Sequence, residues 1–121
     1  MLLQAECRAL ERLAPHEVVL DLFVPQALMH FEGHFPDLPI LPGVVQIDWA
    51  IALAREHCGM EGEFTALENI KFQAVVRPEA SLRLTLRWDK ASSKLSFDYS
   101  QAGKTSASGK VVFGAAQNGL S

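Results

Sequence analysis

The chain has 121 residues, a formal net charge of -3 and 49% hydrophobic side chains. This length fits one folded domain, since a single core usually serves about 100–150 residues, and we expect residues 1–121 to form one domain. The charge gives no support to nucleic-acid binding, which needs a concentrated basic face. No apolar stretch approaches about 20 residues and the N-terminus lacks the regions of a signal peptide, so we expect neither a membrane span nor a leader.

The two cysteines, Cys7 and Cys58, show no spacing typical of a metal site or of a disulfide framework. We expect both to be free, buried or half-buried thiols in a reducing cytoplasm. A bridge between them is the less favoured alternative.

Two strands are predicted in the first quarter of the chain, over residues 2–13 and 18–24, with a turn at residues 14–17 between them. Pro25 ends the second strand. A loop rich in proline and glycine follows over residues 33–42, because these residue types at this density exclude a regular helix or strand.

A helix is predicted over residues 43–58, with Gly59 at the position of a C-terminal cap. Only Gln46 and Asp48 are polar between Val44 and Ala54. A surface helix would show a wide polar face, so we expect this helix to be buried on most sides.

The remaining residues are typical of strands, predicted at 69–76, 81–88, 94–100 and 105–113, followed by a frayed tail over 115–121. The alternation in the second of these strands directs four side chains into the core: Leu82, Leu84, Leu86 and Trp88. One apolar helix among antiparallel strands indicates an α+β protein. The most economical arrangement wraps one antiparallel sheet around a central helix, which is the hotdog fold.

His34 is the first candidate for chemistry, because histidine titrates near neutral pH and is the usual general acid or base. The alternative is a loop histidine that hydrogen-bonds the backbone and fixes the turn.

Asp48 is the second candidate, because an ionised carboxylate on an apolar helix is costly unless it is paired or protonated. One interpretation is a structural ion pair with an arginine or lysine from a strand. The other is a buried carboxyl group that gives or shares a proton.

Gly43 is the third candidate, since it stands at the predicted start of the helix after Pro42. The amides of Gly43 and Val44 then lack partners within the helix and point outward at the positive end of its dipole. A carbonyl group placed there would be polarised as negative charge develops, and glycine has no side chain to block its approach. A plain helix start is the alternative.

A metal site is not expected. The cluster of His30, Glu32 and His34 lacks the adjacent His-Glu pair and the spacing of the zinc-protease helix, and no Pro-Cys-x-x-Cys follows to complete a zinc-deaminase signature.

Four cations form a possible basic rim along the later strands: Lys71, Arg77, Arg83 and Arg87. A solvated strand face is the favoured interpretation, although an acidic carrier protein would also suit such a rim.

Residues 31–36 and 39–44, together with Asp48, resemble the 3-hydroxyacyl-acyl carrier protein dehydratases, the FabZ/FabA hotdog group. The family pattern is G-H-F-P-x-x-P-[IV]-x-P-G with Glu or Asp five residues after the last Gly, and every fixed position is satisfied. The resemblance covers roughly residues 15–113.

This resemblance implies dehydration of a 3-hydroxyacyl thioester, carried by acyl carrier protein, to the trans-2-enoyl thioester, without a cofactor. His34 would abstract the C2 proton, Asp48 would assist departure of the hydroxyl group, and the Gly43 amide would hold the thioester carbonyl. Substrate contacts would come from Phe35, Pro42 and Val44. The family implies a homodimer, in which the histidine and the carboxylate of one site come from different chains.

The sequence departs from the family pattern at three places. Asp48 agrees with the FabA type and not with the Glu of FabZ, Ala52 replaces the usual glutamine, and the family's Pro-Gly-Asp turn is Pro78-Glu79-Ala80. The chain is also shorter than housekeeping members. These departures favour a specialised, ApeI-like dehydratase of a polyene pathway, such as those making aryl polyenes. A hotdog thioesterase and a non-catalytic acyl-carrier-binding module are the alternatives.

Overall fold

The computed structural model describes residues 4–26 and 40–114. Most of the predicted loop and the predicted tail lie outside these residues.

The described residues form one helix and six strands. The helix, α1, is Gly43–His57, and the strands are β1 Glu6–Ala14, β2 Glu17–Phe23, β3 Phe64–Phe72, β4 Ser81–Asp89, β5 Lys94–Gln101 and β6 Lys104–Phe113. The strands build a single antiparallel sheet in the order β1-β2-β4-β5-β6-β3. The sheet packs against α1, which confirms the predicted hotdog fold. No helix in the described ranges is long and apolar enough to cross a membrane.

The core lies between α1 and the concave face of the sheet. Alternation in β2, β4 and β5 directs every second side chain inward, as predicted for Leu82, Leu84, Leu86 and Trp88. Tyr99 is the largest fully buried side chain. Its hydroxyl donates a hydrogen bond of 2.6 Å to the carbonyl oxygen of Gln46, so the centre of the sheet is attached directly to the helix.

The β1–β2 hairpin holds the C-terminal end of α1. Arg12 donates to the His57 carbonyl at 2.6 Å, and a ring nitrogen of His16 lies 2.8 Å from the Cys58 carbonyl. Gly59 follows at a φ of 69°, which is the left-handed conformation of a C-terminal cap and confirms the predicted helix end.

The predicted boundaries of β3 were wrong. The strand begins at Phe64 and ends at Phe72, instead of covering residues 69–76. It ends because the amides of Gln73 and Ala74 both donate to the Ser106 carbonyl, so the chain leaves the ladder. β3 pairs only with β6 and is therefore one edge of the sheet.

The prediction that α1 is buried on most sides is confirmed, apart from one exposed stripe. The stripe formed by Val44, Asp48 and Ala52 is exposed, and so are Arg55 and Glu56 nearer the end of the helix. Apolar residues on a helix do not distinguish a core face from a face that another chain covers, and for this reason the sequence pattern did not reveal the exposed stripe.

The two cysteines are both free, as expected, but Cys7 is exposed and not buried. Cys58 is buried at the end of α1, and this burial raises the pKa of its thiol. Cys7 is exposed because β1 is the other edge strand of the sheet.

Candidate active site

The start of α1 presents two free backbone donors. Pro42 stands before the helix with φ -59° and ψ 145°, and its carbonyl accepts hydrogen bonds from Val45 at 3.1 Å and Gln46 at 3.3 Å. Within the described part of the chain, nothing accepts a hydrogen bond from the amides of Gly43 and Val44. These two donors lie at the positive end of the helix dipole, so they can bind an oxygen that carries negative charge.

Gly43 is in close contact with the edge strand β3. A Cβ atom built on Gly43 would lie 2.6 Å from Cζ of Phe72 and 3.0 Å from Cε1 of the same ring. The absence of a side chain at Gly43 therefore lets the Phe72 ring pack against the start of the helix. The sequence predicted the need for glycine but attributed it to substrate approach alone.

A β-bulge in β3 puts Phe72 on this face of the sheet. The register changes between the pairs Glu68–Lys110 and Lys71–Ser108, and Asn69 in the bulge has a φ of 54°. Because side chains alternate along a strand, one extra residue moves every later side chain to the opposite face. Phe72 consequently shares the helix-facing side with its partner Ala107 and reaches Gly43.

Asp48 is exposed in the single chain, which contradicts the expected burial of this carboxylate. The alternative of a structural ion pair is not supported either, since Asp48 forms no salt bridge with any residue of the described ranges. The side chain follows Gly43 by five residues on the same helix, or about 7.5 Å along its axis at 1.5 Å per residue. Asp48 is thus a carboxylate without an ion pair among the described residues, and it follows the Gly43 amide by about 7.5 Å along the helix axis.

His34 and Phe35 lie outside the described residues, as do His30 and Glu32. Pro42 and Val44 are described, at and directly after the N-cap of α1, where Val44 is 64% exposed. No group of three or more histidine, cysteine or acidic residues in the described ranges could hold a metal ion.

The cations of the predicted basic rim fall into two groups. Arg83 pairs with Asp21 at 3.2 Å and Arg87 with Glu17 at 3.3 Å, so these two arginines are neutralised across neighbouring strands. Lys71 and Arg77 are exposed and have no ion pair with a described residue. The interpretation as a solvated strand face therefore applies to Arg83 and Arg87. It does not account for Lys71 and Arg77.

The sequence interpretation overlooked Gln46 as a residue of the site. Its side chain is 2% exposed and turns back toward the loop before the helix, where Nε2 lies 3.4 Å from the Leu41 carbonyl oxygen. The available signal was that Gln46 is one of two polar residues in an apolar stretch of the helix. It was not interpreted because attention went to Asp48, the charged residue of the two.

The described arrangement can polarise the carbonyl group of a molecule bound at the start of α1. Asp48 can then reach atoms of that molecule a few bonds away from the carbonyl group. The amides supply fixed dipoles, and Asp48 supplies a proton donor or acceptor. This combination suits a reaction that develops negative charge on a carbonyl oxygen while a proton moves nearby.

Comparison with protein families gives a match to the ApeI-like family, described as ApeI dehydratase, over residues 10–110. Among curated proteins, the 3-hydroxyacyl-[acyl-carrier-protein] dehydratase FabZ of Clostridium perfringens is 33% identical over an alignment of 93 residues, and the match covers 69% of this chain and 67% of that protein. The FabZ of Ruminiclostridium cellulolyticum is 34% identical over 97 residues, covering 69% of this chain and 66% of the relative. The chain thus spans about two thirds of the length of these relatives.

Solved structures match over nearly the whole chain. The dehydratase heterocomplex ApeI:P from Xenorhabdus doucetiae contains a chain with a TM-score of 0.85 and 34% identity, and the match covers 90% of this chain and 96% of that one. An uncharacterised protein from Erwinia carotovora subsp. atroseptica has a TM-score of 0.83 and 33% identity, with 95% and 98% covered.

Proposed function

The chain belongs to the ApeI-like dehydratase family, and we propose that it removes water from a 3-hydroxyacyl thioester to give the trans-2-enoyl thioester. The observation that carries the proposal is the helix start: the amides of Gly43 and Val44 have no acceptor among residues 4–26 and 40–114, and Asp48, five residues after Gly43, has no ion pair within the same ranges. The family match across residues 10–110 supports the reaction type.

Each step of the reaction has a group to perform it. The thioester carbonyl accepts a hydrogen bond from the Gly43 amide, and this bond strengthens as the C2–H bond breaks and enolate charge develops. His34 takes the C2 proton. The C3–O bond then breaks, Asp48 donates a proton to the departing hydroxyl group to form water, and the electron pair from C2 completes the C2–C3 double bond. Substrate contacts come from Phe35, Pro42 and Val44.

We further propose that the active form is a homodimer, joined along β3. The register with β6 places Phe64, Leu67 and Phe72 on the helix-facing side of the sheet, yet these side chains are 52%, 42% and 48% exposed. We call these three residues the β3 apolar face. Exposed apolar surface of this kind marks a protein interface, and a second copy lying there would also cover the stripe of Val44 and Asp48.

The substrate carrier that we propose is acyl carrier protein, which the curated relatives name in their description. We place the enzyme in the cytoplasm, in agreement with its two free cysteines. We propose that it works without a cofactor, as one hotdog domain over residues 1–121. The match to the ApeI-like model, together with the departures at Ala52 and Glu79, favours a polyene pathway over housekeeping fatty-acid synthesis.

The test is mass spectrometry of carrier-bound products from a panel of 3-hydroxyacyl-carrier substrates of different length and saturation. We expect the acyl group to lose the mass of one water molecule while it stays attached to the carrier. The same assay without enzyme gives the background, and we expect Asp48→Ala protein to give no more product than that background.

Other outcomes identify the alternatives. Release of free carrier thiol without an enoyl product would indicate a thioesterase. Binding of the acyl carrier without any product would indicate a non-catalytic module. Activity that appears only when a second, different chain is added would contradict the homodimer but leave the dehydration intact.

A further inference from the structure

Gln46 is a buried polar side chain, and only one of its two polar atoms has a hydrogen-bond partner among the described residues. It is 2% exposed on the sheet-facing side of α1. Its Nε2 donates to the Leu41 carbonyl at 3.4 Å, whereas its Oε1 is buried with no hydrogen-bond donor in the part of the chain that the structure describes. An unpaired buried carbonyl group is unfavourable for folding, so overall stability does not explain a glutamine at this position.

The contacts of Gln46 converge on the two residues that precede Gly43. Its side chain binds the Leu41 carbonyl, and its backbone amide binds the Pro42 carbonyl at 3.3 Å. On the other side, the Leu41 amide donates to the Val76 carbonyl at 2.7 Å. The peptide groups on both sides of Pro42 are therefore tied to Gln46, and one of them contains the Gly43 amide.

Gln46 itself is held firmly. The Tyr99 hydroxyl donates to its carbonyl oxygen at 2.6 Å, and Tyr99 is fully buried in the centre of the sheet. The backbone of Gln46 is thus bonded to the sheet through Tyr99, and its side-chain amide is bonded to Leu41. Gln46 therefore fixes the residues before Gly43 relative to the sheet.

We propose that Gln46 is a positioning residue for the dehydration: through the Leu41 carbonyl it orients the Gly43 amide toward the substrate carbonyl. This inference rests on the proposed function, because it needs the Gly43 amide to act as the carbonyl-binding donor. Gln46 is buried and touches no substrate atom in this scheme.

The main test is the variant Gln46→Met, which keeps the length and volume of the side chain and removes its amide. The matched control is Gln101→Met, since Gln101 also donates from Nε2 to a backbone carbonyl, that of Val75 at 3.2 Å. Val75 precedes Val76, which binds the Leu41 amide, so this control removes a similar bond near the loop without removing the bond to the Leu41 carbonyl itself. Both variants are compared with the wild-type chain, in the same assembly, for kcat, KM and thermal midpoint.

We expect Gln46→Met to lower kcat about tenfold or more with little change in KM, because a misaligned donor weakens transition-state binding more than substrate binding. The thermal midpoint should change little, because the substitution removes one weak hydrogen bond and also removes the unpaired Oε1. Gln101→Met should leave both kinetic constants near the wild-type values. Wild-type kcat in Gln46→Met, or an equal loss in both variants, would overturn the proposal.

A second measurement does not depend on turnover. A saturated acyl thioester lacks the 3-hydroxyl group and cannot be dehydrated, so the stretching frequency of its ¹³C-labelled carbonyl reports polarisation in the bound state. We expect the wild-type protein to lower this frequency and Gln46→Met to return it toward the value in water. Gln46→Leu, a second apolar variant, should behave in the same way if Gln46→Met folds poorly.

The two proposals can fail separately. An equal carbonyl shift in wild type and Gln46→Met would overturn the role of Gln46 while dehydration stands. A wild-type protein that dehydrates no 3-hydroxyacyl substrate would overturn the proposed function, and a carbonyl shift that still depends on Gln46 would then support the positioning role by itself.

Discussion

Asp48 owes its proposed role to its position and not to an unusual environment within one chain. It is exposed on α1, and no described residue forms a salt bridge with it, so its charge serves no structural purpose in the single chain. A carboxylate of this kind can be replaced without damage to the fold.

We therefore predict that Asp48→Asn lowers kcat by a factor of about 10²–10⁴, the usual contribution of a positioned general acid. The free energy of unfolding should stay within about 0.5 kcal/mol of wild type, as for exposed substitutions in general. Steady-state kinetics and chemical denaturation measure the two effects. Glu56→Gln, an exposed carboxylate two turns later on the same helix, is the control and should keep full activity. Substantial activity in Asp48→Asn would show that His34, acting through water, protonates the leaving group.

Glu79 is held in a backbone conformation that favours glycine. Its φ is 68°, and the Ala80 amide donates to the Arg77 carbonyl at 3.2 Å across the turn that Pro78 begins. Pro followed by a residue of positive φ is the geometry of a type II turn, in which glycine is preferred at the second central position. The family resemblance identifies this residue as the glycine of the Pro-Gly-Asp turn.

We predict that Glu79→Gly stabilises the protein. Relief of the left-handed conformation gains about 1–2 kcal/mol, and the extra chain entropy of glycine costs about 0.5–1 kcal/mol, so the net gain should be about 0.75 kcal/mol, within a range of about 0–1.5 kcal/mol. Chemical denaturation of the two proteins measures the difference. Ala91→Gly, in a turn residue without a positive φ, should lose stability instead. A loss in Glu79→Gly would mean that the carboxylate makes a contribution larger than the strain.

At the scale of elements, the contact between α1 and β3 determines the shape of the site. Gly43 begins the helix and Phe72 ends the strand, and the ring of Phe72 occupies the space next to the glycine Cα. Two requirements on Gly43 are thus superimposed: room for the ring and room for a substrate carbonyl.

Substitutions at the two positions separate these requirements. Gly43→Ala should displace the Phe72 ring, because a new Cβ would lie 2.6 Å from Cζ. Since the ring is 48% exposed and can move, we expect stability to fall slightly and kcat to fall more. Adding Phe72→Ala removes the clash. Recovery of kcat in the double variant relative to Gly43→Ala would assign the requirement to ring packing, whereas kcat that stays low would assign it to the substrate. Phe72→Ala alone is measured as well, because Phe72 also belongs to the β3 apolar face and its loss has an effect of its own. Thermal unfolding of the two single variants and the double variant gives the parallel change in stability.

The sequence predicted elements more accurately than faces. β4, β5 and β6 were predicted to within one residue at either end, because their alternation between polar and apolar residues is regular. β3 was misplaced, since it is an edge strand with exposed residues on both faces and a bulge at Asn69. No sequence pattern predicts this bulge. If β3 had no bulge, Phe72 would be assigned to the side of the sheet opposite the helix.

The candidate site was also predicted only in part: the position of the helix start was correct, but the exposure of its side chains was not. The position of Gly43 at the helix start follows from Pro42 and the apolar run after it, and the structure confirms it. The exposure of Asp48 did not follow, because Val44 and Ala52 on the same stripe are as apolar as core residues. Gln46 was missed because its partner is the Leu41 carbonyl, a backbone group that no sequence pattern displays.

At the scale of the whole molecule, the two edges of the sheet differ in character. β1 carries four charged residues among nine, Glu6, Arg8, Glu11 and Arg12, and charge of this density protects an edge from pairing with another chain. β3 has only Glu68 and Lys71 in the same length, and it presents the β3 apolar face beside the start of α1. The edge that is open to association is therefore also the one that contacts Gly43 at the start of α1.

A dimer along β3 predicts that neither chain holds a complete active site. His34→Ala and Asp48→Ala should each be inactive alone, but refolding an equal mixture should restore activity. Half of the dimers are then mixed, and each mixed dimer has one site in which both residues are intact, so we expect about a quarter of the wild-type activity. No recovery in a mixture shown to contain mixed dimers would mean that both residues of a site come from one chain.

The reverse mixture gives an independent measurement of the same arrangement. When wild-type protein is refolded with an equal amount of the double variant His34→Ala/Asp48→Ala, a shared site leaves every mixed dimer inactive. Only the wild-type dimers then contribute, which amounts to about a quarter of the activity of the same total amount of wild-type protein. If each chain carried its own complete site, the mixed dimers would be half active and the total would be about one half. Agreement between the two mixtures excludes incomplete exchange of chains, because poor mixing lowers the activity of the first mixture and raises that of the second.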